Sequence, residues 1–242
     1  MDDETRRRLT TRFGAGIVDP WWHQLGWLID DLARRWDLVR LGPHARGNTS
    51  VTLRCRAGTG RRKAVLKLTP DPALAVAEAA ALKVWAGGPA VELLAIDAER
   101  GALLLEWLDA APINVPAEAA AELVVALHAV PPPAGLPTLR ARLPEGFDLA
   151  QRRGAAWADR REVALALAED DVPPVLLHGD LHVRNVLVRG KRLVAIDPRP
   201  CVGDPAWDAA DWVIGSRERC AVLAAAIGAD PDRLWAWSEV FA

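Results

Sequence analysis

The chain has 242 residues, 51% of them hydrophobic and 26% charged, which is enough for one large domain or two small lobes with separate cores. Its formal net charge of -2 argues against wholesale nucleic-acid binding, which calls for a strongly basic balance. No apolar run reaches the roughly 18 residues that cross a bilayer, and the acid-then-arginine start does not read as a secretory leader.

In chain order, residues 1–12 are polar and are expected to be disordered. Apolar residues then recur at helical spacing from Trp21 to Trp36, through Leu25, Leu28, Ile29 and Leu32. Strand-like segments follow at Leu38–Leu41, Val51–Arg56 and Ala64–Leu68, separated by the polar turn Arg46-Gly47-Asn48-Thr49-Ser50 and by Gly58–Gly60. Ala73–Trp85 reads as an alanine-rich helix stopped by Gly87-Gly88, and Val91–Ile96 with Ala102–Trp107 as a further strand pair. Beyond Asp109 the pattern turns helical, at Ala117–Ala129 and Arg152–Ala168, with the Pro131–Pro133 break between them. The expected division is therefore an N-terminal lobe over 1–108 and a C-terminal lobe over 109–242. Cys55, Cys201 and Cys220 are odd in number and widely spaced, matching neither a disulfide framework nor a zinc site and suiting a reducing cytoplasm.

The densest chemistry lies in His178-Gly179-Asp180-Leu181-His182-Val183-Arg184-Asn185, just before the apolar run Val186–Val188. An Asp and an Asn five apart in a polar loop match the catalytic-loop spacing of kinases. One carboxylate can accept or orient an attacking hydroxyl while an amide oxygen holds a metal against nucleotide phosphates. Arg189-Gly190-Lys191 reads as the turn of a hairpin whose antiparallel return sets Asp197 beside Asn185. The bland alternative, Asp180 capping a turn and Asn185 ending a loop, explains each residue but not their spacing.

The run HGDLHxxNVL, followed by IDPxPxxGDPxWDxA, resembles the aminoglycoside phosphotransferase superfamily, and most nearly its streptomycin 6-phosphotransferase and hydroxyurea-resistance kinase group. The likeness extends from about Phe13 to Phe241 and is specific across 178–212. It implies an α+β, bilobal protein-kinase-like fold, ATP and Mg²⁺ as cofactors, Asp180 as catalytic base, and Asn185 and Asp197 as metal ligands. It also implies a hydroxylated, cationic small-molecule acceptor such as streptomycin at its 6-hydroxyl. The alternatives are hydroxyurea or another hydroxylated antibiotic or metabolite, or a catalytically inactive nucleotide-binding module. Kinases of this group usually continue with further helices that wall the acceptor site, so either that wall is shorter here or the chain is truncated.

Within this frame Lys67, a lysine in an apolar strand, is costly unless it meets an anion, and is read as the phosphate contact held by Glu78. A snorkelling edge-strand lysine is the bland reading. Asn48, Thr49 and Ser50 would form the loop over the triphosphate, without a GxGxxG or Walker pattern. Glu106 and Leu108 would supply backbone groups to adenine. Asp208 and Asp211, three apart in GDPAWDAADW, are read as an acidic rim for a cationic substrate or as anchors of the loop; Asp204 is read as a helix cap, His128 as a packed structural histidine, and His178 and His182 as loop braces. Neither nucleic acid nor membrane is expected as a partner, and the oligomeric state is not legible.

Overall fold

A computed structural model describes residues 3–43, 49–109, 111–169 and 171–242. The chain forms two compact units, Met1–Ala79 with Glu92–Trp107, and Ala80–Val91 with Leu108–Ala242.

The first unit opens with α1 (Asp3–Phe13) and α2 (Ala15–Arg35), parted by Gly14 at φ 83. The expected disorder of residues 1–12 does not hold for the described part. Leu9 is fully buried and Arg6 pairs with Asp19 at 2.9 Å, so a mostly polar helix is held by one apolar anchor and an ion pair. Helix α2 begins six residues before the expected Trp21 and carries Pro20 inside it, which interrupts the apolar period there. Five antiparallel strands follow: β1 (Leu38–Pro43), β2 (Val51–Ala57), β3 (Arg62–Leu68), β4 (Leu93–Asp97) and β5 (Ala102–Glu106), in the order β1-β2-β3-β5-β4. Leu25, Leu28, Ile29 and Leu32 of α2 share a core with Val51, Cys55, Ala64, Leu66 and Leu68. Because successive strand side chains alternate faces, Lys67 points away from that core. Helix α3 (Pro72–Val84) brings Glu78 to it.

The second unit holds α4 (Ala117–His128), α5 (Leu139–Arg152), α6 (Arg161–Leu167), β6 (Val175–Leu177), β7 (Val186–Arg189), β8 (Arg192–Ala195), β9 (Cys201–Gly203), α7 (Ala206–Ala210), α8 (Arg217–Ile227) and α9 (Pro231–Phe241). Helix α5 is not evident in the sequence, because Pro144 and Gly146 read as breakers. It nevertheless buries Leu143, Phe147 and Leu149, and Thr138 caps it by accepting from the Ala141 N–H. The single helix expected over Arg152–Ala168 is instead broken at Gly154, φ 66, into a short 3₁₀ turn and α6. Among the described residues no helix is long and apolar enough to cross a membrane. The three cysteines are free and buried, and burial pushes the Cys201 thiol up to about 12.

Asp204 ties the end of this unit to its middle. Its Oδ1 accepts from the Ala206 N–H, the cap expected from the sequence, while Oδ2 accepts from Arg233 Nε at 2.7 Å and Trp237 Nε1 at 2.5 Å. Trp237 then meets Trp207 edge-on at 5.1 Å, and Trp207 meets Phe241 at the same separation. Removing one partner of a buried charge pair leaves the other uncompensated. Asp204→Ala is therefore expected to destabilise the protein by about 3–5 kcal/mol in urea unfolding; a loss under about 0.5 kcal/mol, the size of a neutral surface change, would show that α9 does not depend on this anchor.

Candidate active site

Two small antiparallel pairs frame the polar loop. Strand β6 pairs with β9, Leu177 opposite Cys201, and β7 pairs with β8, Val186 opposite Ala195. Arg189 faces Arg192, so the hairpin closes on the two-residue turn Gly190-Lys191, with Gly190 at φ 65. The loop 178–185 leaves β6 and enters β7 through a 3₁₀ turn, Val183–Asn185, closed by the Asn185 N–H donating to His182 O at 2.8 Å. The register differs from expectation by one residue. The Ile196 N–H donates to Asn185 O at 2.9 Å, so Ile196 is opposite Asn185 and Asp197 is the next residue along. Asp197 adopts φ 58, a left-handed conformation that is uncommon for any residue but glycine and best tolerated by Asn and Asp.

Asp180 is half-buried and surrounded by nitrogen. Asn185 Nδ2 donates to Asp180 O at 2.8 Å and lies 3.3 Å from its Oδ2; Arg199 Nε is 3.5 Å from Oδ2, and His182 Nε2 is 3.8 Å from Oδ1. With its amide hydrogens turned to Asp180, Asn185 directs its oxygen elsewhere, as a cation ligand requires. An amide and a carboxylate oxygen suit a hard cation that keeps water and phosphate in its remaining positions, so these residues fit Mg²⁺. Among the described residues there is no cluster of three or more His, Cys, Asp or Glu side chains able to hold a metal alone.

Beneath the loop lies a buried brace. His178 is fully buried; its N–H donates to Asp208 Oδ2 at 2.7 Å, and the Gly179 N–H donates to Asp208 Oδ1 at 2.9 Å. Asp208 Oδ2 also lies 3.1 Å from His128 Nε2. The acidic-rim reading of Asp208 therefore fails: at 1% exposure, with both oxygens committed, it anchors the loop and cannot face a substrate. Asp211 differs. The residue is largely exposed, yet burial around its carboxyl raises its pKa, while His182 and Arg184 pull it down and Asp180 pushes it up. His128 and His178 are structural, as expected; His178 Nε2 lies 3.0 Å from Ile196 O, its Nδ1 accepts from the Asp180 N–H at 3.4 Å, and Trp85 stacks on its ring at 6.3 Å.

In the first unit Lys67 Nζ is 2.5 Å from Glu78 Oε2, with both side chains under a tenth exposed. Thr49 and Ser50 are buried just before β2; Asn48 lies outside the described residues. Glu106 closes β5, its N–H donating to Glu92 O and its Oε1 accepting from the Glu92 N–H, and Leu108 begins the longer segment of the second unit. Sequence reasoning missed Arg199 altogether. The available signal was a lone cation between two prolines directly after Asp197.

Burial lowers the His178 pKa, opposed by Asp208, Asp180, the Ile196 carbonyl and Asp197. A histidine held neutral contributes stability in full above its unfolded value of about 6.5, and the contribution declines below it because the unfolded chain takes up a proton that the folded chain refuses. His178→Gln is thus expected to show a shallower loss of stability than wild type from about pH 6.5 down to 5, followed by denaturant titration. Parallel curves for the two proteins would contradict this.

Residues 41–241 match the phosphotransferase enzyme family. The chain is 34% identical over 252 aligned residues to the hydroxyurea phosphotransferase of Kitasatospora aureofaciens, covering 94% of this chain and 74% of that protein. It is 35% identical over 204 residues to the streptomycin 6-kinase of Streptomyces glaucescens, covering 78% of this chain and 66% of that protein, and 32% identical over 220 residues to the streptomycin 6-kinase of Streptomyces griseus, covering 82% and 69%. Among solved structures, an ethanolamine kinase of Plasmodium vivax superposes with a TM-score of 0.59 at 16% identity, covering 93% of this chain and 78% of that one. Aminoglycoside phosphotransferase APH(4)-Ia superposes with a TM-score of 0.55 at 15% identity, covering 88% of each. These two likenesses are of fold. With the family match spanning most of its length and relatives above 30% identity, the chain belongs to the phosphotransferase enzyme family, as an α+β, kinase-like enzyme of the small-molecule phosphotransferases.

Proposed function

We propose that this enzyme transfers the γ-phosphoryl group of ATP to a hydroxyl of an aminoglycoside, with streptomycin at its 6-hydroxyl as the first substrate to test. The observation that carries the chemistry is the Asp180–Asn185–Asp197 arrangement at the mouth of the β7–β8 hairpin. Asp180 accepts and orients the acceptor hydroxyl. Asn185 and Asp197 are the residues that would hold Mg²⁺, which would supply positive charge to neutralise the phosphates. Lys67, fixed by Glu78, is assigned to the α- and β-phosphates, Thr49 and Ser50 together with Asn48 to the phosphate loop, and the backbone of Glu106 and Leu108 to adenine. Little covalent work falls to the protein in such a reaction; positioning and charge neutralisation dominate.

Asp211, an exposed carboxylate one helical turn beyond the buried Asp208, is assigned to the cationic acceptor. Two streptomycin 6-kinases among the relatives support that acceptor class. Hydroxyurea is the second reading, favoured by a hydroxyurea phosphotransferase that matches 94% of this chain. Free, buried thiols support a reducing cytoplasm.

The deciding assay incubates the protein with ATP, Mg²⁺ and a panel containing streptomycin, other aminoglycosides and hydroxyurea, scoring which compound gains phosphate. Asp180→Ala is expected to reduce that transfer at least about 10²-fold. A wild type that binds ATP yet phosphorylates nothing, indistinguishable from the mutant, would identify an inactive nucleotide-binding module instead. Asp197→Asn is expected to abolish Mg²⁺-dependent nucleotide binding in calorimetry with a nearly unchanged melting temperature, because Asn tolerates the same backbone conformation. A large fall in melting temperature would make Asp197 a structural residue.

A further inference from the structure

The Arg199 side chain is set in a way that a structural ion pair does not require. Its backbone is held from both sides. The Arg199 N–H donates to His178 O at 2.8 Å, and Arg199 O accepts from Arg142 Nη1. Pro198 and Pro200 flank it, and a residue before proline is confined to extended backbone. The fit is close: a Cβ on Gly179, which sits at φ 78, would come within 2.0 Å of Arg199 O. The tip, by contrast, is loosely engaged. The side chain is 19% exposed, and among the described residues its one charged partner is Asp180, reached by Nε alone at 3.5 Å.

A guanidinium used to build a stable pair presents its planar fork to a carboxylate, two short parallel bonds at about 2.7–2.9 Å. Here, among the described residues, most of the five N–H donors are uncommitted, beside the carboxylate proposed to receive the acceptor hydroxyl. A free guanidinium in this position is a good arrangement where positive charge must meet a phosphoryl group. We infer that Arg199 is a further catalytic residue of the reaction: its free guanidinium nitrogens contact the transferring phosphoryl oxygens while Asp180 keeps the side chain aimed. In the step it serves, the acceptor oxygen bonds to the γ-phosphorus as the bond to the bridging oxygen breaks. That electron pair leaves with ADP and the hydroxyl proton passes to Asp180. The inference rests on the phosphotransferase reading above.

The test separates the two by measuring binding without any acceptor. Calorimetry with Mg²⁺ compares ADP alone with ADP plus aluminium fluoride, a mimic of the transferring phosphoryl group, on wild type, Arg199→Ala, Arg199→Gln and Arg199→Lys. Wild type is expected to bind ADP more tightly with fluoride present. Arg199→Ala and Arg199→Gln are expected to bind ADP within about twofold of wild type but to lose that tightening at least about tenfold, with kcat down about 10²–10³-fold on whichever acceptor turns over. Arg199→Lys, a point charge without the fork, is expected to lie between, and added guanidinium ion to restore part of the Arg199→Ala activity. If Arg199→Ala does not fold, Arg199→Gln carries the same comparison with a neutral side chain of similar reach. Fluoride-dependent tightening retained in the neutral variants, or ADP affinity lost in parallel with it, would overturn the assignment. A wild type that binds no ADP would overturn the nucleotide reading and this one with it.

Discussion

The carboxylate of Asp208 is the constraint on which the second unit's chemistry depends. A charge buried to 1% exposure is tolerated only when its oxygens are paired, and here they accept from the His178 and Gly179 N–H groups and approach His128. One side chain on α7 thereby fixes the start of the loop, 30 residues earlier in the chain. Gly179 lacks the Cβ that would strike Arg199 O, so the segment after Asp197 can lie against the loop from the other side. The loop's conformation is thus set before any ligand arrives, which is the condition for electrostatic catalysis to act without reorganisation at the moment of reaction.

The residues divide by depth. Those that hold the loop (His178, Asp208, and the Trp85 ring beneath) are buried and saturated with partners. Of those given chemical roles in this unit, Asp180, Asp197 and Arg199 are half-buried and Asn185 is buried. Lys67 and Glu78 in the first unit are also buried, as an ion pair whose members carry opposite charges and so need no outside counterion to remain ionised. An ion pair of this kind is weak evidence for stability, and the phosphate role proposed for Lys67 gives a reason for its presence.

Legibility followed the range of the interaction. The hairpin and its turn depend on neighbouring residues, so Asn185 and Asp197 were legible as near neighbours, although Ile196 and not Asp197 is the residue directly opposite Asn185. Lys67 stood out because a charge in an apolar strand is expensive. The brace was not legible in the same way: the Asp204 cap is a local bond and could be read, but Asp208 and Asp211 offer the same two readings in the sequence, and only contacts spanning tens of residues make Asp208 the anchor. Helix α1 escaped because Leu9 is its one buried residue, and α5 because Pro144 and Gly146 outweighed the apolar stripe around them.

The left-handed backbone at Asp197 has an evolutionary side. Asparagine occupies that conformation about as readily as aspartate, and a single-base change converts one codon into the other. Gly179 and Asp208 are policed by folding itself, since their loss disturbs the packing and hydrogen bonding of the loop. Selection for a folded chain alone would therefore preserve those two and leave position 197 free to drift. On the role proposed for Asp197, a silent descendant, intact as a protein but inert as a catalyst, lies one such step from the working enzyme.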